Sequence, residues 1–153
     1  DTDLPHMLPK QEAWEKIMSS LGINNNDDIL IYDNSDLKSS CRCWFSLLYF
    51  GHDEKKIHIL NGGLKKWIFE NKPITKDATE IIESNYVANE KENLVVSFDQ
   101  IKKNILSKSF NVIDARSLER FEGKVSEPRK GLRSGHIQNS FCLPFNLCIN
   151  QKK

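Results

Sequence analysis

Four of the five arginines in this 153-residue chain fall within one short stretch, at Arg116, Arg120, Arg129 and Arg133. Elsewhere the chain uses lysine as its usual cation. A guanidinium group is planar and presents parallel N–H donors that match a carboxylate bidentately, whereas a lysine ammonium acts as a point charge. The cluster therefore indicates either an anion-binding loop or a set of surface salt bridges.

The four cysteines indicate little chemistry. Cys41 and Cys43 are two residues apart, Cys142 and Cys148 are six apart, and no cysteine forms a C-x-x-C pair or has a histidine at metal-ligand spacing. We therefore expect reduced thiols in a cytoplasmic protein. Cys41 and Cys43 lie in an apolar helical pattern, which predicts that both pack in the core.

Composition excludes several classes of partner. The net charge is +1, the hydrophobic fraction is 39% and the mean hydropathy is -0.52. A nearly neutral chain has no global field to attract nucleic acid, and no apolar run approaches the roughly 20 residues that a membrane span needs. We expect neither nucleic acid nor a membrane as partner.

The first half of the chain predicts alternating helices and short strands. The predicted helices span residues 10–21, 41–50 and 64–71, and the predicted strands span 29–32 and 57–60. The β-branched content of the first strand favours a buried strand, and the alternation favours a parallel sheet with covering helices. Asn61-Gly62-Gly63 predicts a tight turn with positive φ.

The second half predicts a similar order after an interruption. Residues 74–93 lack apolar periodicity, so we interpret them as a connection that contains a short strand at Tyr86-Val87. The pattern Ser97-Phe98-Asp99-Gln100 has the form of a capping box and predicts a helix from Phe98 to about Leu106. The remaining predicted elements are a strand at 110–114, a short helix at 117–121, a loop at 122–135 and a strand at 141–143.

Two sets of motifs support a family resemblance over about residues 6–145. The first set comprises His6-Met7-Leu8-Pro9, Tyr32-Asp33, Arg42-Cys43-Trp44-Phe45, Phe50-Gly51-His52 and Leu60-Asn61-Gly62-Gly63-Leu64. The second comprises Ile113-Asp114-Ala115-Arg116, Arg120-Phe121-Glu122-Gly123, Glu127-Pro128-Arg129, Ser134-Gly135-His136-Ile137 and Leu143-Pro144-Phe145. In order and spacing, these motifs resemble the tandem-domain rhodanese-type sulfurtransferases, which include the thiosulfate and 3-mercaptopyruvate sulfurtransferases.

The resemblance implies an α/β fold made of two incomplete rhodanese-like halves. Residues 1–73 would be the C-terminal half of a non-catalytic domain, 74–93 a linker, and 94–153 the N-terminal half of a catalytic domain. In the family the nucleophilic Cys follows a later strand, so we expect a fragment without the catalytic Cys segment. Asp33 stands at the strand end where a catalytic domain would carry its Cys.

The implied activity is transfer of sulfane sulfur from 3-mercaptopyruvate or thiosulfate to a thiol or cyanide, through a Cys persulfide and without a cofactor. By the resemblance, Arg120 and Arg129 bind the anionic donor, Arg116 forms an internal ion pair, and His136 holds a loop. No residue of this chain is predicted to be catalytic. We expect the isolated chain to be inactive and its incomplete halves to favour self-association.

Two alternatives remain open from the sequence. The chain could be a non-catalytic rhodanese-like module that binds a partner. The arginines could also be structural, with Arg120 paired to Asp114 or Glu119 and Arg129 paired to Glu127. A C-x5-R phosphatase is excluded, because no cysteine has an arginine six residues later.

Overall fold

Each half of the chain builds a two-stranded parallel β-sheet with helices. The computed structural model describes residues 7–34 and 39–150. It forms two compact units, called here the first and the second unit, with their boundary between Val95 and Val96. His6, which contributes to the first motif, lies outside the described residues, as do residues 35–38.

The first unit follows the predicted order of elements. Its helices are α1 (Gln11–Ser20), α2 (Ser39–Tyr49) and α3 (Gly63–Phe69), its strands are β1 (Ile29–Ile31) and β2 (Ile57–Ile59), and 3-10 turns occur at Glu54–Lys56 and Glu92–Leu94. In the parallel register, Ile29 pairs with Ile57 and Ile31 pairs with Ile59. The predicted parallel alternation of strands and helices is confirmed.

The turn before α3 joins this helix to the end of β1. Gly62 and Gly63 adopt φ values of 90° and 57°, as the Gly-Gly pair predicted. A Cβ on Gly63 would lie 2.6 Å from the carbonyl oxygen of Asp33. The same oxygen accepts a hydrogen bond from the backbone N–H of Leu64 at 2.9 Å. Close backbone approach therefore requires glycine at this turn.

The buried core belongs to the first unit. Its residues come from α1, α2, β2 and a later segment, and they are Met18, Leu47, Phe50, Ile57, Tyr86 and Ala88. The ring of Trp14 stacks on Phe50 with a centroid separation of 4.8 Å. His52 is fully buried beside this cluster; its Nδ1 lies 3.2 Å from the Tyr86 hydroxyl, and its Nε2 lies 2.9 Å from the carbonyl oxygen of Asp27.

Residues 84–91 are held against the rest of the first unit by side chains that bond to their backbone. Asn25 pairs with both backbone groups of Val87, donating from Nδ2 to the carbonyl at 2.6 Å and accepting from the N–H at 3.0 Å. The carboxylate of Glu15 accepts from the N–H of Ala88 at 2.8 Å. These bonds satisfy backbone groups that a strand would otherwise pair with a neighbouring strand.

This arrangement corrects one prediction for residues 74–93. The short strand expected at Tyr86-Val87 is absent, because the backbone there bonds to side chains of the first unit instead of to another strand. Tyr86 and Ala88 are only 2% and 5% exposed, so this part of the segment contributes to the core. The assignment of the flanking regions as two half-domains stays a prediction.

The second unit also follows its predicted order. Its helices are α4 (Phe98–Ser107) and α5 (Leu118–Phe121), its strands are β3 (Val112–Asp114) and β4 (Ser140–Cys142), and a 3-10 turn covers Phe145–Cys148. The strands pair in parallel, with Asp114 opposite Cys142. The capping box at the start of α4 is confirmed, since the Ser97 hydroxyl accepts from the Gln100 N–H while the Gln100 side chain accepts from the Ser97 N–H.

Burial differs from the sequence-based expectation in both units. The first strand is not buried on both faces, because Leu30 and Tyr32 are 56% and 58% exposed. In α2 the buried stripe contains Leu47, whereas Cys41 and Cys43 lie on the exposed side, so the prediction that both cysteines pack in the core is wrong. The hydrophobic residues described in the second unit are all at least partly exposed.

Candidate donor-binding site

The C-terminal end of β3 carries an aspartate that orients the first arginine of the cluster. Arg116 Nε lies 3.0 Å from each carboxylate oxygen of Asp114, and the Arg116 backbone N–H donates to Oδ1 at 2.9 Å. The Arg116 guanidinium also donates to Glu127 at 2.7 Å and to the carbonyl oxygen of Gly135 at 2.7 Å. Arg116 therefore ties the strand end to the middle and the C-terminal end of the loop at 122–135, which confirms its predicted role as an internal ion pair.

Glu127 joins the second arginine to the first. Its Oε1 accepts from Arg116 Nη1 at 2.7 Å and from Arg120 Nε at 3.3 Å, and its Oε2 accepts from Arg120 Nη2. Arg120 comes from α5, so one carboxylate links the strand end, the short helix and the loop. The suggested pairing of Arg120 with Asp114 or Glu119 is wrong; its partner is Glu127.

The charges of this cluster are mutually stabilised. Hydrogen bonding to Arg116 lowers the pKa of Asp114, and hydrogen bonding to Arg120 lowers the pKa of Glu127. The hydrogen bond from Arg116 to Asp114 raises the pKa of the Arg116 guanidinium. Two carboxylates balance two guanidinium groups, so the cluster is neutral overall at physiological pH.

The bonding pattern leaves Arg120 and Arg129 with different capacities for a ligand. Arg120 is one-third exposed and uses its Nε and Nη2 donors on Glu127, while its Nη1 has no acceptor among the described residues. Arg129 is exposed, and the structure gives it no hydrogen bond or ion pair to a described residue. The suggested pair of Arg129 with Glu127 is therefore not formed, because that carboxylate is already used by Arg116 and Arg120.

His136 closes the C-terminal side of the loop. Its Nδ1 donates to the carbonyl oxygen of Phe121 at 2.7 Å, and its ring stacks on the Phe121 ring with centroids 3.7 Å apart. This contact holds the end of the loop against α5. The predicted loop-holding role of His136 is confirmed.

Two of the four cysteines have a pKa that is raised, which disfavours the thiolate form. Cys41, Cys43 and Cys148 are exposed, and Cys142 is half-buried, with its sulfur 3.8 Å from the carbonyl oxygen of Arg116. Desolvation and the negative charge of Asp114 raise the pKa of Cys142, and desolvation raises the pKa of Cys43. A reactive cysteine needs the opposite shift, since the thiolate is the nucleophile.

The matching strand end of the first unit is filled by its own carboxylate. Asp33 Oδ2 accepts from the backbone N–H of Ser40 at 2.7 Å and from the Ser39 hydroxyl at 3.3 Å, at the start of α2. Backbone N–H groups at a helix start are the donors that a bound anion would use. In this unit the aspartate itself takes that position.

A groove of the second unit lies beside the arginine cluster. It is open, has a volume of about 1060 Å³, and is lined by apolar residues of α4 and β3 together with Arg116, Glu127, Arg133 and His136. Neither Arg120 nor Arg129 lines it. The groove therefore gives no support for donor binding by Arg120 and Arg129, and that role stays a prediction.

The described residues offer no metal-ion cluster of three or more His, Cys, Asp or Glu side chains. Within the same part of the chain, every helix is too short or too polar to cross a membrane.

Glu127 is the functional residue that sequence reasoning missed. In the sequence, the motif Glu127-Pro128-Arg129 points to its arginine, and it suggests Glu127 only as a partner of Arg129. Its separation from Arg116 and Arg120, by 11 and 7 residues, is not a helical spacing, so no periodic pattern predicts the bridge. The only available signal was a carboxylate within an arginine cluster.

Comparisons with known proteins bear on the family and the fold of the chain. The family model for the rhodanese-like domain matches residues 3–70. The chain is 41% identical over 173 residues to thiosulfate/3-mercaptopyruvate sulfurtransferase 2 of Arabidopsis thaliana, covering 99% of this chain and 50% of that protein. It is 32% identical to human 3-mercaptopyruvate sulfurtransferase, covering 96% of this chain and 50% of the relative. The chain thus spans about half the length of the curated relatives it matches.

Solved structures give the same result for the fold. The crystal structure of the 3-mercaptopyruvate sulfurtransferase SseA from Escherichia coli superposes with a TM-score of 0.85 at 31% identity, over 97% of this chain and 55% of that one. The Tum1 protein from Saccharomyces cerevisiae superposes with a TM-score of 0.86, also at 31% identity, over 97% of this chain and 51% of that one. The α/β fold inferred from the motifs is confirmed as the rhodanese fold.

Proposed function

Because this chain belongs to the rhodanese-like sulfurtransferase family, we propose that it takes part in moving sulfane sulfur from 3-mercaptopyruvate or thiosulfate to a thiol or cyanide. The observation that carries the proposal is the exposed guanidinium of Arg129 on a loop that is anchored by the bridge of Arg116, Glu127 and Arg120. A small anionic donor needs such a preorganised cationic surface.

Arg129 and Arg120 would contact different parts of the donor. Arg129 offers a complete guanidinium fork, which matches the two oxygens of a pyruvate-type carboxylate. Arg120 offers its outer Nη1, because its other donors are held by Glu127. We assign Arg129 to the carboxylate of mercaptopyruvate, and Arg120 to the negative charge that both donors carry near the transferred sulfur.

The persulfide-forming nucleophile is assigned to polypeptide other than these 153 residues. Support comes from Cys43 and Cys142, whose raised pKa values disfavour the thiolate, and from the family resemblance, in which the nucleophile follows a later strand. The isolated chain should form no thiocyanate from cyanide with either donor. Turnover that persists through purification and is lost in Cys142→Ser or Cys148→Ser would contradict this assignment.

The donor-binding roles can be tested in a chimera that supplies the nucleophile. Residues 97–145 of this chain would replace the aligned stretch of the E. coli 3-mercaptopyruvate sulfurtransferase, and Arg129→Lys and Arg120→Lys would be introduced separately. Lysine retains the charge but loses the bidentate fork. We expect Arg129→Lys to lower kcat/KM for mercaptopyruvate by about tenfold or more, the scale of one charge-assisted hydrogen bond, and to affect thiosulfate less. Arg120→Lys should lower kcat/KM for both donors.

The matched control is Arg133→Lys, an exposed arginine of the same loop, which should leave both rates within about twofold. Equal losses for the two donors in Arg129→Lys, or no loss at either Arg120 or Arg129, would mean that these arginines do not bind the donor.

The alternative function, a non-catalytic module that binds a partner, has one observation in its favour. The second unit exposes apolar strand residues, with Ile113 and Phe141 59% and 62% exposed. If kcat/KM of the chimera for both donors is unchanged by substitution of Arg120 and Arg129, the result would favour this alternative. Cytoplasmic location and self-association through these faces remain part of the proposal.

A further inference from the structure

Within the loop that carries Arg129, one buried carboxylate makes the contacts to Arg116 and Arg120. Across residues 122–134, Glu127 is the one residue that is not exposed, and its side chain is only 5% accessible. Both of its oxygens are used, and they bond to arginines from two different elements. An isolated carboxylate would not remain at such a low accessibility, because burial of an unpaired charge is costly.

The bridge fixes the orientation of Arg120. The Nε and Nη2 donors of Arg120 face Glu127, so the plane of the guanidinium is set and its Nη1 is directed away from the carboxylate. Pro128 and Arg129 follow Glu127 directly, so the same anchor fixes where the Arg129 backbone begins. We propose that Glu127 is a positioning residue that orders Arg120 and Arg129 for the donor anion; this inference rests on the proposed function.

Glu127 has two opposing effects on the affinity for an anion, and they predict changes of opposite sign when its charge is removed. As a negative charge, it repels the donor, and its removal should strengthen binding of any anion by about threefold at physiological salt. As an anchor, it orders an arginine side chain before the anion binds. The rotamer entropy that binding then no longer has to remove corresponds to about thirtyfold in affinity. If positioning dominates, removing the charge weakens anion binding by about tenfold, although the site becomes more positive.

The test uses the whole 153-residue chain and pyruvate as the probe, since pyruvate carries the donor carboxylate without a reactive thiol. Binding would be followed at 0.15 M salt through the arginine Nε–Hε resonances in NMR spectra. We expect Glu127→Gln to raise the dissociation constant for pyruvate about tenfold and to give Arg120 Nε–Hε faster exchange with solvent. Glu127→Asp keeps the charge but is one methylene shorter and cannot reach both arginines, so it should also weaken binding.

The matched control is Glu122→Gln, which removes the same charge from the same loop, at a residue that pairs with Lys124 instead of an arginine. It should leave the dissociation constant within about twofold. Tighter pyruvate binding by Glu127→Gln, with Glu127→Asp unchanged, would overturn the inference and leave the proposed function standing. No perturbation of Arg120 or Arg129 by pyruvate in the unsubstituted chain would overturn the proposed function itself. Amide fingerprint spectra establish whether each variant is folded. If Glu127→Gln is unfolded, the test rests on Glu127→Asp, where weaker pyruvate binding supports the inference and unchanged binding overturns it.

Discussion

The contact between Gly51 and Asn89 tests whether residues 84–91 are an integral part of the first unit. Gly51 follows α2 with a φ of 85°, and a Cβ at this position would lie 2.6 Å from the Asn89 carbonyl oxygen and 3.0 Å from the Asn89 Cβ. Gly51→Ala therefore imposes two costs. The left-handed backbone conformation costs an alanine about 1–2 kcal/mol. The close contact then forces Asn89 away from α2.

That displacement strains two backbone hydrogen bonds. The Asn89 N–H donates to the Phe50 carbonyl at 3.0 Å, and the Lys91 N–H donates to the Tyr49 carbonyl at 2.7 Å. Loss of one or both costs about 1 kcal/mol each. We therefore expect Gly51→Ala to lower the free energy of unfolding of the first unit by about 2–4 kcal/mol, a large part of the roughly 5–15 kcal/mol that stabilises a typical domain.

Urea unfolding followed by tryptophan fluorescence is a suitable assay, because Trp14, Trp44 and Trp67 all lie in the first unit. Asn71→Ala is the control: Asn71 is exposed and has a φ of 53°, so this change tests the backbone penalty without a clash. It should cost no more than about 1 kcal/mol. A Gly51→Ala variant no less stable than Asn71→Ala would refute the reasoning and indicate that residues 84–91 are only loosely attached.

Three further outcomes are expected. The folded-state pKa values of Asp114 and Glu127 are lowered, so their stabilising contribution is complete above the ordinary carboxyl pKa of about 4 and is lost as the pH falls through the lower folded values. The protection of amides in the loop at 122–135, measured against their intrinsic exchange rates, should therefore fall only below about pH 4, and protection that is already lost near pH 6 would contradict this. The exposed apolar strands favour association, so Ile113→Lys should reduce any dimer seen by sedimentation equilibrium, and an unchanged association constant would exclude this face. Thiosulfate should shift amide resonances of the second unit and not those near Ser40, whereas in Asp33→Ala it should also shift Ser40, since the aspartate no longer fills the start of α2.

Local patterns predicted the elements of both units well. The helix at Phe98–Ser107 was given by its capping box, and the turn at Gly62-Gly63 was given by the need for positive φ. These features depend on neighbours within four residues, so the sequence contains the whole interaction. The parallel pairing of β1 with β2 also followed from the alternation of strands and helices.

Interactions between distant residues were not predictable in this way. Asn25 holds Val87 across 62 residues, and Tyr86 enters a core built from α1 and α2. Nothing in the polar composition of 74–93 distinguishes a segment held by side chains from an unattached linker. The exposure of Cys41 and Cys43 was missed for a related reason, because an apolar pattern indicates that a helix has a buried face but does not fix its angular limits.

The donor-binding role of Arg120 and Arg129 stays a prediction, and the bonding of these arginines was not predictable from the sequence. The motifs singled out Arg120 and Arg129, yet either could have been a donor ligand or half of a salt bridge. The structure assigns Arg120 to Glu127 and leaves Arg129 without a partner among the described residues. A guanidinium has five donors in a fixed plane, so an ion pair and a ligand contact are compatible on the same arginine. A structural ion pair of Arg120 therefore does not rule out a contact of the same side chain with a ligand.

The two units use the acid at the end of their first strand in opposite ways. Asp33 accepts from the backbone at the start of α2 and so occupies the place where an anion would bind. Asp114 turns instead to the side chain of Arg116, and through Arg116 and Glu127 it supports the loop that presents Arg129. A carboxylate at a helix start excludes an anionic donor by charge and by occupancy, whereas one that orders arginines prepares a surface for it. The same residue type at the end of the same kind of strand can therefore fill a helix start in one unit and orient arginine side chains in the other.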